Sequence, residues 1–140
     1  MAILEWDKRF VLGVTFIDQD HKRLVDLINE IHDNIINCAS HDALGTVIVE
    51  LIDYATYHFA AEENSMAYNE YGGLPLHKEE HLKFCRMVAE FLDGSREGKE
   101  DSSLEILSFL GNWLFDHILQ TDSEYCQFLA QRNKAELKSA

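Results

Sequence analysis

Apolar residues return every three or four positions through four long stretches of this chain, with a single proline among its 140 residues. That period puts them on one face of a helix, whereas a half-buried strand would need strict alternation. From about Asp18 to Cys38 the stripe is Leu24, Ile28, Ile31 and Ile35. Asp18 is the expected N-cap, its carboxylate accepting from free amides of the first turn. The capping sequence "SHD" (40–42) opens a second stripe, Leu44, Ile48, Leu51, Ala55 and Phe59, which runs to about Tyr68. "NEYGGLP" ends it, and Pro75 suits the first turn of a third helix, where its missing N–H would be unpaired anyway. Phe84, Val88 and Phe91 continue that helix to a stop expected at Gly94. Ser102 and Glu105 read as a capping box for a fourth helix through Ile106, Leu110 and Trp113. "TDSE" (121–124) repeats the box, so a break or kink is expected there, ahead of a short C-terminal helix.

One stripe per helix and short connections make successive helices antiparallel neighbours. The expected fold is all-α, an up-down-up-down four-helix bundle with an extended N-terminal arm and a short C-terminal helix. The arm is residues 1–17, whose "FVLGVTFI" breaks the helical period; 18–133 form the bundle and 134–140 a tail, all in one domain (1–140). A chain of this length buries roughly 68–70% of its unfolded surface, enough for one core. No apolar run approaches a membrane span, and "MAILEWDKRF" is charged where a signal peptide needs its apolar stretch, so no membrane insertion is expected. Cys38, Cys85 and Cys126 are an odd number without C-x-x-C spacing, which fits a reducing, cytoplasmic setting. A net charge of −13 disfavours nucleic acid as a partner.

Histidines interrupt every stripe. His21 falls on the first, His58 and Glu62 on the second, His77 and His81 on the third, His117 on the fourth. Polar groups at core positions cost several kcal/mol (about 2–7) unless paired. In an antiparallel bundle the start of helix one, the second half of helix two, the start of helix three and the close of helix four lie at the same end. Five imidazoles and a carboxylate therefore converge, which suits a metal site. His32 shares the face of His21 but lies about 16 Å further along the axis, and His41 is at the other end. Both read as structural or surface histidines.

Five histidines exceed the four ligands of one tetrahedral zinc, and imidazole with carboxylate suits iron. "HKEEH" (77–81) matches a zinc peptidase pattern but leaves three histidines and Glu62 without a role. Ferritin-like di-iron oxidases take ligands from Glu-x-x-His pairs, and none of the seven histidines has a Glu three residues before it. Glu62 can bridge two ions through its two oxygens. Asp122 is the second candidate bridge, although five residues after His117 is off register on a regular helix. Irregular helix geometry is therefore expected between them. With five histidines, two bridging carboxylates and a solvent bridge, one iron has six ligands and the other about five. The open position suits a small diatomic molecule.

"HFAAEE" (58–63), "HKEEH" (77–81) and "WLFDHILQTD" (113–122), with "IDQDH" (17–21) and an arm-like "EWDKRFVLGVTFID" (5–18), resemble the hemerythrin family, specifically single-domain bacteriohemerythrins. The resemblance covers nearly the whole chain. It implies two non-haem iron ions, one on His77, His81 and His117 and the other on His21 and His58. Glu62, Asp122 and a hydroxo or oxo group would bridge them. It also implies an oxygen pocket of Phe59, Trp113, Leu114 and Ile118, and reversible binding of dioxygen, for carriage, storage or delivery, by a protein that is not an enzyme. Glu63, beside Glu62, reads as a surface charge. A di-iron oxygen or redox sensor module, or an enzyme handling peroxide or nitric oxide, uses the same site and remains the alternative.

Overall fold

The four stripes become four helices. The computed structural model describes residues 4–96 and 103–139, with α1 at Thr15–Ile36, α2 at His41–Tyr68, α3 at Leu74–Arg96 and α4 at Ser103–Asp116. A π-helical turn, His117–Asp122, joins α4 to α5, Ser123–Ser139. No strand occurs among the described residues. α1 packs against α2 and α4, and α3 packs against the same two, closing a four-helix bundle. The links at 37–40 and 69–73 are short, so the helices they join run antiparallel.

The stripes meet in a main core that includes Leu24 and Ile28 of α1, Leu51 of α2, Phe84 and Val88 of α3, and Leu110 and Leu114 of α4. Each such side chain contributes about 1.5–3 kcal/mol through removal from water. A second, smaller cluster, Ile17, Met66, Tyr125 and Cys126, lies apart from it. Among the described residues no helix is long and apolar enough to cross a membrane.

The arm crosses the bundle as expected, though it contains a 3₁₀ turn at Lys8–Phe10. Asn29 on α1 holds its beginning by accepting from the Leu4 N–H (2.9 Å) and donating to the Leu4 carbonyl (2.8 Å). Phe10 is buried between Trp6, stacked at 5.0 Å, and the edge of Phe115 on α4 at 5.6 Å.

Several boundaries differ from expectation. α1 starts at Thr15, and its N-cap is Val14 without a side-chain bond. Asp18 reaches backwards to accept from the N–H groups of Leu12 and Gly13, at 2.8 and 3.1 Å. It pins the joint between arm and helix, where Gly13 at φ 92° turns the chain. Ser40 caps α2 by accepting from the Ala43 N–H at 3.1 Å. α3 runs two residues past Gly94 to Arg96, as helix ends tolerate glycine in the last turn. The Ser102 half of the expected capping box lies outside the described residues. α5 continues to Ser139, so 134–139 is helix where a tail was expected. α1 and α2 end with non-glycine residues in the left-handed region, Cys38 at φ 53° and Glu70 at φ 56°. In each, the next N–H returns to a carbonyl five residues back, Ala39 to Asn34 and Tyr71 to Met66.

Candidate metal centre

His21 of α1, His58 and Glu62 of α2, His77 and His81 of α3, and His117 and Asp122 of the π turn meet inside the bundle, each at most 3% exposed. His58 with Glu62, and His77 with His81, are four residues apart and so share a helix face. They form a polar layer between the two apolar clusters: along α1 the order is Ile17, His21, Leu24, and along α2 Phe59, Glu62, Met66. The His117–Asp122 pair depends on the π turn. Its wider i→i+5 bonding, with the Ser123 N–H reaching the Ile118 carbonyl, brings residues five apart close to one line. His117 Nε2 accordingly lies 3.1 Å from Asp122 Oδ1. The irregularity expected from the ligand spacing is present, and α5 starts at Ser123 within "TDSE", though without a sharp break, because Ser123 keeps helical angles (φ −60°, ψ −41°).

The carboxylate oxygens divide between two groups of imidazoles. Glu62 Oε1 faces His77 Nε2 at 2.8 Å and His81 Nε2 at 3.2 Å. Asp122 Oδ1 faces His77 Nε2 at 2.7 Å as well as His117. The other oxygens turn away: Glu62 Oε2 to His58 Nε2 at 3.0 Å, and Asp122 Oδ2 to His21 Nε2 at 2.9 Å. His21 Nε2 is also 3.7 Å from Glu62 Oε2. The result is a three-histidine group and a two-histidine group that share both carboxylates.

Three more carboxylates stand behind the histidines, and reading the sequence missed all of them. Asp20 Oδ2 accepts from His58 Nδ1 at 2.9 Å, while its Oδ1 accepts from the Tyr54 hydroxyl at 2.8 Å. Glu63 Oε2 accepts from His81 Nδ1 at 2.7 Å, so Glu63 is tied to the centre and is not the free surface charge expected. Glu80 Oε2 is 3.4 Å from His117 Nδ1. A carboxylate can only accept from an imidazole, so at His58 and His81 it holds a proton on Nδ1 and turns Nε2 toward the centre. The available signal was proximity: Asp20 and Glu63 each adjoin a cluster residue in sequence.

Charges in the cluster support one another. Burial opposes a charge on His21, but Asp122 and Glu62 outweigh it and raise its pKa to about 9. The same balance, with Asp122 the leading partner, raises His117 to about 10 and His77 to about 8. Burial pushes Glu62 upward, yet the surrounding imidazoles of His21, His58, His77 and His81 hold it well below the usual carboxylate range. Asp122 is lowered too, where His117 and His21 overcome burial and the repulsion of Glu62. Burial and Asp20 push Tyr54 up to about 12.

The donor set fits metal. His58 Nε2, His81 Nε2, His117 Nε2, both oxygens of Glu62 and Asp122 Oδ2 are buried without hydrogen-bond partners. Each such group costs about 1–3 kcal/mol if left so. Their ligand atoms nevertheless lie within 4.8 Å of one another, in one set of Glu62, His77, His81, His117 and Asp122 and another of His21, His58 and Glu62. Cations would satisfy these atoms together.

A family model described as the hemerythrin HHE cation binding domain matches residues 12–129. The chain belongs to the hemerythrin family. It is 39% identical over 125 residues to the bacteriohemerythrin of Pseudomonas aeruginosa, spanning 89% of this chain and 80% of that one. To the bacteriohemerythrin of Clostridium acetobutylicum it is 35% identical over 124 residues, 86% of this chain and 96% of the relative. Among solved structures, the crystal structure of a hemerythrin point mutant superposes with a TM-score of 0.82 at 29% identity, covering 91% of this chain and 97% of that one. A hemerythrin-family bundle with a buried His/Glu/Asp cluster suits a metal centre.

Of the residues expected to form the family's pocket, two stack on ligand-candidate rings. Phe59 stacks on the His81 ring at 3.8 Å, and Trp113 on His117 at 4.6 Å. Leu114 and Ile118 are buried in the main apolar cluster. His32 remains apart, half-buried near Asp33, and His41 opens α2, its side chain outside the described set.

Proposed function

We propose that this protein binds dioxygen reversibly at a non-haem di-iron centre, for carriage, storage or delivery. His77, His81 and His117 would hold one iron and His21 and His58 the other, with Glu62 and Asp122 bridging. The observation that carries this reading is the division of carboxylate oxygens, Glu62 Oε1 and Asp122 Oδ1 toward three imidazoles and Oε2 and Oδ2 toward two. Shared carboxylates call for a pair of ions, and the two-histidine group offers one protein donor fewer than the other. When bound, the iron pair supplies the two electrons that dioxygen takes up and returns.

The chain's own part is to hold the donors and exclude water. Asp20 and Glu63 hold Nδ1 of His58 and His81 and so orient Nε2 of each ring toward the ions. Phe59, Trp113, Leu114 and Ile118 supply an apolar wall with no proton donor except the Trp113 indole. A wall of that kind disfavours protonation and loss of reduced oxygen. The three unpaired thiols, Cys38, Cys85 and Cys126, are consistent with a reducing, cytoplasmic setting.

The test is anaerobic loading with ferrous iron, metal analysis, and rapid mixing with oxygen. Two irons per chain and an optical change that reverses when oxygen is removed are expected. Rapid irreversible oxidation would instead favour sensing, or turnover of peroxide or nitric oxide, at the same site.

A further inference from the structure

Two clefts approach the buried cluster, and they differ in charge. One, of about 390 Å³, is lined by Phe59, His81, Leu82 and Cys85 and carries a single carboxylate, Glu63, against a single ammonium, Lys78. The other, of about 330 Å³, lies where the start of α3 meets the π turn. Its charged groups are Glu79, Glu80 and Glu124 against Lys83. Its lining includes His77 but neither Glu62 nor Asp122, so the His77 ring partitions cleft from centre.

That ring is 1% exposed and its Nε2 is turned to Glu62 and Asp122. Its other nitrogen, Nδ1, is buried and has no partner. Glu80 spans the same partition. Its side chain is 38% exposed, its Oε1 accepts from the Thr121 hydroxyl at 3.4 Å, and its Oε2 is 3.4 Å from His117 Nδ1. A line of oxygen and nitrogen donors thus leads from solvent through Glu79 and Glu124, past Glu80, to His77 and His117.

We propose that the cleft between the start of α3 and the π turn is the port by which a divalent cation reaches the cluster, an inference that rests on the metal-centre reading above. Glu79 and Glu124 attract the cation, and Glu80 passes it inward. Three carboxylates against one ammonium repel anions and concentrate cations, and a cleft with low-dielectric walls strengthens that field.

The test follows the rate of loading into metal-free protein, using ferrous ion under anaerobic conditions and cobalt(II) as a visible stand-in. Glu79→Gln with Glu124→Gln removes two port charges without touching any ligand. Steered association changes rates by about 10–10³-fold in all, so this double variant should load about three- to tenfold more slowly, with a weaker salt dependence. Its final metal content should equal that of the wild type. Lys83→Gln should load faster. Asp26→Asn with Glu50→Gln removes the same charge from exposed positions elsewhere and should change the rate by less than about twofold. Wild-type loading in the port variant, or equal slowing in the control variant, overturns the proposal while leaving the metal centre standing. A wild-type protein that takes up no metal overturns both.

Discussion

Asp20 tests whether the carboxylates behind the histidines act on the centre. Its two oxygens are both used, Oδ2 by His58 Nδ1 at 2.9 Å and Oδ1 by the Tyr54 hydroxyl at 2.8 Å. In Asp20→Asn the amide has one oxygen for these two partners. If its NH₂ faced His58, Nδ1 would have to accept and the ring proton would move to Nε2, the nitrogen facing Glu62. Turning the NH₂ toward Tyr54 costs less, since a hydroxyl can accept, and His58 then keeps a neutral bond. A charge-assisted bond is worth about 1.5–3 kcal/mol against about 0.5–1.5 for a neutral one. The difference, about 1–1.5 kcal/mol, corresponds to roughly tenfold weaker metal binding. Asp20→Ala loses the bond altogether and should weaken binding by about 10–100-fold. Tyr54→Phe leaves the bond to His58 in place, so an effect of only about two- to fivefold is expected. Anaerobic competition for ferrous ion against a chromophoric chelator measures all three. Thermal unfolding of the metal-free variants separates lost affinity from lost stability. An Asp20→Ala protein that binds iron within about twofold of wild type would refute the reasoning.

His58→Ala should lose most of the bound metal, whereas His32→Ala should keep it; metal analysis showing equal contents would overturn the ligand assignment. The metal-free protein should be most stable between about pH 5 and pH 7. His21, His77 and His117 have raised folded pKa values of about 9, 8 and 10, so their contribution is complete below the ordinary 6.5 and fades as pH climbs through those values. Glu62 and Asp122, lowered in the fold, contribute above 4.5 and 3.8 and lose that contribution as pH falls below them. Urea midpoints in the presence of chelator should therefore decline from pH 7 to pH 10, and a flat profile there refutes this. Glu70→Gly should raise stability by about 0.5–1 kcal/mol, because glycine relieves a left-handed conformation costing other residues about 1–2 kcal/mol. A lower denaturation midpoint for that variant would count against strain at φ 56°.

Much of the bundle was legible because burial and helix periodicity point the same way at Leu24, Leu51, Phe84 and Leu110. The convergence of five histidines and Glu62 was legible for a related reason: each occupies a stripe position that an apolar residue would otherwise fill. Asp122 was the instructive position. Its five-residue distance from His117 conflicts with an α-helix, and the conflict pointed to the π turn that resolves it. Local cues did worse at boundaries. Asp18 and "TDSE" have capping composition, but the first is used by the arm, and at the second α5 starts on unbroken helical angles. Asp20, Glu63 and Glu80 were not legible as partners of histidines. Their side chains lie off the stripes, and whether a partly exposed carboxylate meets an imidazole depends on interhelical distances that periodicity does not encode.

The polar layer splits the apolar interior into unequal parts. On one side about twenty buried residues hold the four helices together. On the other, Ile17, Met66, Tyr125 and Cys126 are the buried set among the described residues, helped by the Tyr125 hydroxyl's 2.6 Å bond to Ser65. Ions in the intervening layer would tie α1, α2, α3 and the π turn together directly above that small cluster. Occupancy of the centre thus bears on the cohesion of one end of the molecule. When the metal leaves, the base of α5 around Tyr125 is where the fold should slacken first.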